Sequence, residues 1–96
     1  MSRRRFLVTY DVADPKRVKA THRAMRDFGE HVQFSVFLCE LNAREFLQME
    51  HRLHKILNQR QDQALIFDLG KATEERLDSI QSIGRDFTPA PTIFVV

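Results

Sequence analysis

Cysteine is almost absent from this chain of 96 residues, and other features are missing as well. The single Cys39 cannot form a disulfide within one subunit, which is typical of a reducing compartment, so we expect a cytoplasmic protein. No apolar run approaches the roughly 20 residues that cross a bilayer, and no segment resembles a signal peptide. The three glycines do not form a phosphate-binding loop. These absences argue against membrane proteins, disulfide-stapled domains and folds that depend on a glycine-rich loop.

The charge that is present is unevenly distributed. Residues 1–26 contain eight Lys or Arg and two Asp, a balance of +6, whereas residues 27–96 contain seven Lys or Arg and eleven Asp or Glu, a balance of −4. Cations concentrated at one end indicate a surface that faces a polyanion. With 43% hydrophobic residues the chain can bury one core, so we expect a single domain over residues 1–96 that gains stability from oligomerisation.

The segment from Phe6 to Arg17 organises the rest of the chain. Residues 6–11 alternate as a buried strand does and end at Asp11, with Tyr10 on the core-facing side. Asp14 followed by proline is typical of a helix N-cap. Sheets often place ligands and metals at the carboxyl ends of their strands, so Asp11 is a candidate metal ligand. The alternative is that Asp11 accepts hydrogen bonds from loop amides.

A helix over residues 15–28, ended by Gly29, is predicted next. Its apolar residues form one stripe, and four cations lie on the opposite arc: Lys16, Lys19, Arg23 and Arg26. These cations indicate either a solvated helix face or contact with the phosphates of a nucleic acid. Arg17 could likewise neutralise a phosphate or pair with an acid.

A second strand is predicted over residues 31–39, where apolar residues occupy both alternating faces. We therefore expect it to be covered on both sides, by the helices and by a second copy of the protein. Phe37 is interpreted as a contact with that copy.

The remaining segments complete an α+β pattern. Asn42 and Glu45 form a capping-box pattern that opens a helix, on which His51 and His54 are better explained as exposed residues than as metal ligands. Helices over one face of a small, mainly antiparallel sheet predict a two-layer ferredoxin-like sandwich (βαββαβ) with an extra C-terminal strand. The other segments are a connector at 58–63, a strand at 64–69, a turn at 70–71, a helix at 73–83, a loop at 84–91 and a terminal strand at 92–96.

The motifs YDVADPKR (residues 10–17) and GEHVQFSVF (residues 29–37) resemble those of CRISPR-associated protein two, a family also described as metal-dependent endoribonucleases. The resemblance implies a homodimer with facing sheets, in which the C-terminal strand completes the partner's sheet. It implies that Asp11 lies near the twofold axis and binds Mg²⁺. It also implies a protein that bridges dimers of the CRISPR integrase and binds duplex DNA. The supporting residues that match the motifs are Tyr10, Asp14, Arg17, Ser35 and Phe37.

Three functions are consistent with these residues. The first is a magnesium-dependent endonuclease that cleaves single-stranded RNA or DNA, with Asp11 as the catalytic residue. The second is a non-catalytic scaffold that binds DNA and the integrase. The third, a small-ligand regulatory module, is disfavoured because no glycine-lined loop is present. His31 stands where the family often has arginine, so more of the grip on nucleic acid falls to the first helix, through Lys16, Arg17, Lys19, Arg23 and Arg26.

Overall fold

The predicted ferredoxin-like α+β sandwich is confirmed. In the computed structural model, which describes residues 2–72 and 80–87, the elements follow the order β-α-β-β-α-β. The described strands form one antiparallel sheet in the order β2-β3-β1-β4, with both helices contributing to the core on one face. The elements are β1 (Arg4–Asp11), α1 (Pro15–Arg26), β2 (Gly29–Gln33), β3 (Val36–Leu41), α2 (Ala43–Ile56) and β4 (Gln63–Lys71).

Both helices begin where the sequence predicts. The Asp14 carboxylate accepts a hydrogen bond of 3.1 Å from the backbone N–H of Arg17, which confirms the N-cap. Asn42 and Glu45 form the capping box through bonds of 2.8 and 2.9 Å. Helix α1 ends at Arg26, two residues before the predicted end. No helix in the described part of the chain is long and apolar enough to cross a membrane.

The predicted single strand over residues 31–39 is wrong, because the chain reverses direction at Phe34 and Ser35. In the resulting β2–β3 hairpin, Gln33 pairs with Val36, and the register shifts between His31 and Gln33. Two-residue hairpin turns are usually recognised by glycine or asparagine at positive φ, yet among the described residues only glycines have a positive φ. The apolar alternation therefore continues through the turn without a break that a pattern could detect.

The core lies between the helices and the sheet, and Phe37 is part of it. Phe37, Met25, Met49 and Val8 are each 0% exposed. The interpretation of Phe37 as a contact with a second copy is wrong, because its own chain already buries the whole ring. Tyr10, at 6% exposure, also belongs to this core, as its strand parity predicts.

The opposite face of the sheet carries exposed apolar side chains. Leu65, Phe67 and Leu69 alternate along β4 with the core-facing Ala64 and Ile66, and they are 45%, 47% and 54% exposed. An apolar stripe of this kind is typical of an interaction surface. It suits the expected second copy, and the dimer itself remains a prediction.

Strand β4 is longer than the sequence predicts. Gly70 and Lys71, predicted as a turn, belong to the strand, because a register shift beside Arg4 and a φ of +92° at Gly70 form an irregularity past which pairing continues. Residues 80–83, the end of the third predicted helix, are not helical. The rest of that helix (73–79) and the predicted terminal strand (92–96) lie outside the described residues.

Candidate functional site

Asp11 is the last residue of β1 and is exposed to solvent. It pairs through the backbone register with Gln63 of β4, and its carboxylate has no hydrogen-bond or ion-pair partner within residues 2–72 and 80–87. The alternative in which Asp11 accepts hydrogen bonds from loop amides is therefore not what the structure shows. Its oxygens are available to a cation or a ligand.

A cavity of about 510 Å³ opens beside Asp11, between α1 and the β2–β3 hairpin. Its lining combines a carboxylate, three cations, two histidines and apolar side chains. The lining residues are Tyr10, Asp11, Val12, Val18, Lys19, His22, Arg23, Arg26, His31, Phe34 and Ser35. Three of the four cations of the predicted stripe thus share one depression on the surface with the candidate metal ligand.

The surface available to a polyanion is narrower than the charge distribution of the sequence indicates. Half of the eight cations in residues 1–26 form ion pairs with acids: Arg3 with Glu45, Arg4 with Asp68, Arg5 with Glu40 and Arg17 with Asp62, at 2.7 to 3.1 Å. The other four are exposed and have no acidic partner in the described part of the chain. They are the four stripe residues Lys16, Lys19, Arg23 and Arg26.

Of the two roles left open for Arg17, the structure shows the ion pair. Its Nε donates to Asp62 Oδ2 at 2.7 Å, and its Nη2 donates to Asp62 Oδ1 at 3.2 Å and to Gln61 at 3.1 Å. We therefore leave Arg17 out of the proposed phosphate contacts. Asp62 also accepts hydrogen bonds from the backbone N–H groups of Ala13, at 2.9 Å, and Asn58, at 2.8 Å. It thereby fixes the loop that connects Asp11 to α1.

Asp62 is a residue that sequence reasoning missed, since the connector around it shows only polar composition. The hydrogen bond from Arg17, assisted by those from Ala13 and Asn58, holds the pKa of the Asp62 carboxyl well below its usual range, although burial acts in the opposite direction. The same hydrogen bond raises the pKa of Arg17. No local pattern predicts this contact, because Arg17 and Asp62 are 45 residues apart in the sequence.

We expect Asp62→Asn to lower the thermal midpoint by several degrees at neutral pH. Because the folded-state pKa of Asp62 lies below its unfolded value of about 3.9, its contribution to stability is complete above that value and disappears as the pH falls through the folded pKa. The difference in midpoint between wild type and variant should therefore be largest near pH 7 and shrink toward about pH 2. Thermal unfolding followed by circular dichroism measures this. Asp86→Asn, an exposed carboxylate, is the control, and a difference independent of pH would contradict the prediction.

The supporting residues Tyr10 and Ser35 hold the hairpin against β1. The Tyr10 hydroxyl donates to the carbonyl of Phe34 at 3.3 Å, and the Tyr10 N–H donates to the carbonyl of Ser35 at 3.0 Å. Burial raises the pKa of Tyr10, so the phenol stays protonated at neutral pH and keeps its hydrogen bond. Through these contacts Tyr10 and Ser35 stabilise the wall of the cavity.

Two histidines meet on the wall of the cavity. The rings of His22 and His31 lie 4.8 Å apart, edge to face, and both rest against Phe37. His31 Nε2 lies 3.2 Å from the carbonyl of Phe34, and because a carbonyl only accepts, that nitrogen carries the proton. Burial, followed by the charges of His31 and Arg26, lowers the pKa of His22, so it is neutral at pH 7. The sequence alone did not bring His31 next to His22, because the β2–β3 hairpin was not predicted.

Asp11 offers a cation one carboxylate, an oxygen ligand of the type that magnesium prefers. Within residues 2–72 and 80–87 no three residues of the types His, Cys, Asp and Glu are grouped to hold an ion, and His51 and His54 are simply exposed. Magnesium is commonly bound by one or two carboxylates together with water and substrate phosphates. Asp11 supplies one such carboxylate, and the three cations of the cavity are suited to the phosphates rather than to the metal itself.

Comparison with known proteins agrees with this geometry. The family model described as CRISPR associated protein Cas2 matches residues 4–77. A Rhodospirillum rubrum protein named CRISPR-associated endoribonuclease Cas2 1 is 35% identical over 82 residues, which cover 85% of this chain and 79% of that protein. A Geobacter sulfurreducens protein named CRISPR-associated endoribonuclease Cas2 is 36% identical over 84 residues, 88% of this chain and 87% of that protein. The crystal structure of Streptococcus pyogenes Cas2 aligns with a TM-score of 0.69 at 29% identity, covering 83% of this chain and 99% of that one. The chain belongs to the Cas2 family of CRISPR-associated proteins.

Proposed function

We propose that this protein is a magnesium-dependent endonuclease of the CRISPR spacer-acquisition system. The relatives at 35% and 36% identity are named endoribonucleases. The observation that carries the proposal is the shared cavity, in which the free carboxylate of Asp11 stands beside the unpaired cations Lys19 and Arg23. Metal-dependent cleavage of a phosphodiester uses this combination: an oxygen ligand for the metal next to positive charge for the phosphate.

Five residues that line the cavity have roles in the proposed reaction. Lys19, Arg23 and Arg26 bind and orient the backbone phosphates. His22 is neutral at pH 7, so it is able to accept a proton from an attacking group. When bound, magnesium would supply positive charge that stabilises the phosphate oxygens and activates water. Asp11 would hold it.

A second copy of the chain would complete the metal site. One carboxylate per chain is a small donor set, and two Asp11 side chains brought together would repel each other unless a cation lay between them. The exposed stripe of Leu65, Phe67 and Leu69 offers an apolar surface through which two sheets could face each other. We therefore propose a homodimer with Asp11 from each subunit near the twofold axis.

The second candidate is a scaffold that binds duplex DNA and bridges integrase dimers without cutting. It is favoured by the sparse donor set around Asp11 and by the four exposed cations of α1, which suit a backbone grip rather than base recognition. The two candidates are not exclusive, because the same helix would contact phosphates in both.

Removal of the metal separates the two candidates. We expect wild-type protein with Mg²⁺ to cleave a labelled single-stranded RNA or DNA, and cleavage to stop in EDTA and resume when Mg²⁺ is restored, since the carboxylate alone supplies no Lewis acid. Denaturing gel electrophoresis measures the products. Protein carrying Asp11→Asn, purified in parallel, controls for a contaminating nuclease. Full cleavage in EDTA would contradict the metal site, and no cleavage with Mg²⁺ would leave the scaffold as the function.

A further inference from the structure

Phe34 is the most exposed aromatic side chain in the described part of the chain. Its side chain is 95% exposed, whereas Phe67, the next most exposed, is at 47% and lies on the apolar sheet face. Burying a phenylalanine side chain stabilises a protein, and at this position folding leaves that stabilisation unused. Phe34 also lines the same cavity as Asp11, Lys19 and Arg23.

The backbone that carries this ring is held in place. The carbonyl of Phe34 accepts hydrogen bonds from the Tyr10 hydroxyl, at 3.3 Å, and from His31 Nε2, at 3.2 Å. The next residue, Ser35, accepts from the Tyr10 N–H at 3.0 Å. Three hydrogen bonds to this two-residue turn fix the position of its backbone. The ring of Phe34 therefore projects from an ordered main chain.

We propose that Phe34 is a stacking platform for an unpaired base of a nucleic-acid strand whose phosphates lie along α1. The inference deepens the proposed function and rests on it. Proteins that bind single strands combine a cationic groove for the backbone with aromatic rings on which bases stack, and here both border one cavity. A paired base in a duplex is already stacked on its neighbours, so the platform selects single-stranded or unwound segments.

Substitution of Phe34 tests the proposal by affinity. We expect Phe34→Ala and Phe34→Leu to weaken binding of a single strand about 12 nucleotides long by between about fivefold and about 150-fold, because stacking contributes roughly 1–3 kcal/mol per base. Phe34→Tyr keeps a ring and should bind as wild type does. Fluorescence anisotropy in EDTA measures affinity without cleavage. The control is Leu47→Ala, which removes another exposed apolar side chain, 64% exposed on α2 and outside the cavity.

A spectroscopic readout reports the contact directly. The chain contains no tryptophan, so Phe34→Trp introduces one fluorophore at the platform. We expect its emission to be quenched by the single strand, and not by an abasic strand of equal length or by a duplex of the same sequence. A blue-shifted emission that depends on protein concentration without nucleic acid would place Phe34 in a contact between copies of the chain and overturn the proposal.

The outcomes distinguish this inference from the proposed function. If wild type and Phe34→Ala bind the single strand equally, the platform is excluded while the nuclease proposal stands. If wild type binds no nucleic acid under any of these conditions, the proposed function fails, and the platform fails with it. Unchanged thermal midpoints of the variants would exclude unfolding as the cause of any loss.

Discussion

Asp11→Asn is expected to reduce magnesium-dependent cleavage by roughly 100-fold or more, because the metal supplies several kcal/mol of stabilisation to the transition state. The substitution keeps the size of the side chain and removes its negative charge. Asp11 is exposed and has no partner among the described residues, so the variant should fold and melt as wild type does. Initial cleavage rates at saturating Mg²⁺ measure the effect, with circular dichroism as the test of folding.

Asp86→Asn is the matched control for Asp11→Asn, since it removes an exposed carboxylate that does not line the cavity. It should leave the rate unchanged. An Asp11→Asn protein that cleaves at the wild-type rate would remove Asp11 from the site. Loss of cleavage with spacer acquisition intact in cells would show that the nuclease chemistry is real and dispensable for acquisition, which would give the scaffold the physiological role.

Reversal of two charges on α1 is the second large effect that we expect. Lys19→Glu with Arg23→Glu should weaken duplex binding on the order of tenfold or more and lower the slope of log affinity against log salt by about 2, since each lost phosphate contact releases about one counterion fewer. Anisotropy titrations at several salt concentrations measure both quantities. Both residues are exposed and unpaired within residues 2–72 and 80–87, so the change should act on binding rather than on folding.

Helix α2 provides the matched control for this pair. Arg44→Glu with Lys55→Glu changes the net charge by the same amount at two exposed positions outside the cavity. If net charge alone governs binding, both double variants will lose affinity equally. An unchanged salt slope for the α1 variant would remove the helix from the contact surface.

Local signals in the sequence predicted local structure well. Asp14 and the pair Asn42 and Glu45 were identified as caps because each satisfies backbone groups within three residues of itself, and no tertiary contact is needed to recognise them. The exposed stripe on α1 followed from helical periodicity for the same reason. The family resemblance in turn implied a metal-binding role for Asp11, which remains a prediction.

The features that escaped prediction depend on contacts between distant residues or on backbone geometry without a residue signature. The backbone at Phe34 and Ser35 has no positive φ, so the turn does not need glycine or asparagine. The sequence therefore contains no residue that identifies the turn. Because the hairpin is not predicted, the roles of two residues are predicted wrongly or not at all. Phe37 was assigned to a dimer contact although it is buried, and His31 was not recognised as a neighbour of His22.

The ion pairs also cannot be predicted from the amino-acid composition. A count of charge treats Arg3, Arg4 and Arg5 as available cations, whereas the fold places an acidic partner beside each of them. Only the three-dimensional arrangement separates the charge that holds the chain together from the charge that is free to meet a ligand.

The hydrogen bonds around Asp62 have a thermodynamic consequence for any ligand at Asp11. Ala13, two residues beyond the carboxylate, is tied to Asp62, which Arg17 and Asn58 hold in turn. The conformational entropy of this loop is therefore lost when the chain folds. Binding of a phosphate or a cation does not have to order the loop a second time. Association at this site should accordingly proceed with little rearrangement of the main chain, close to rigid-body docking.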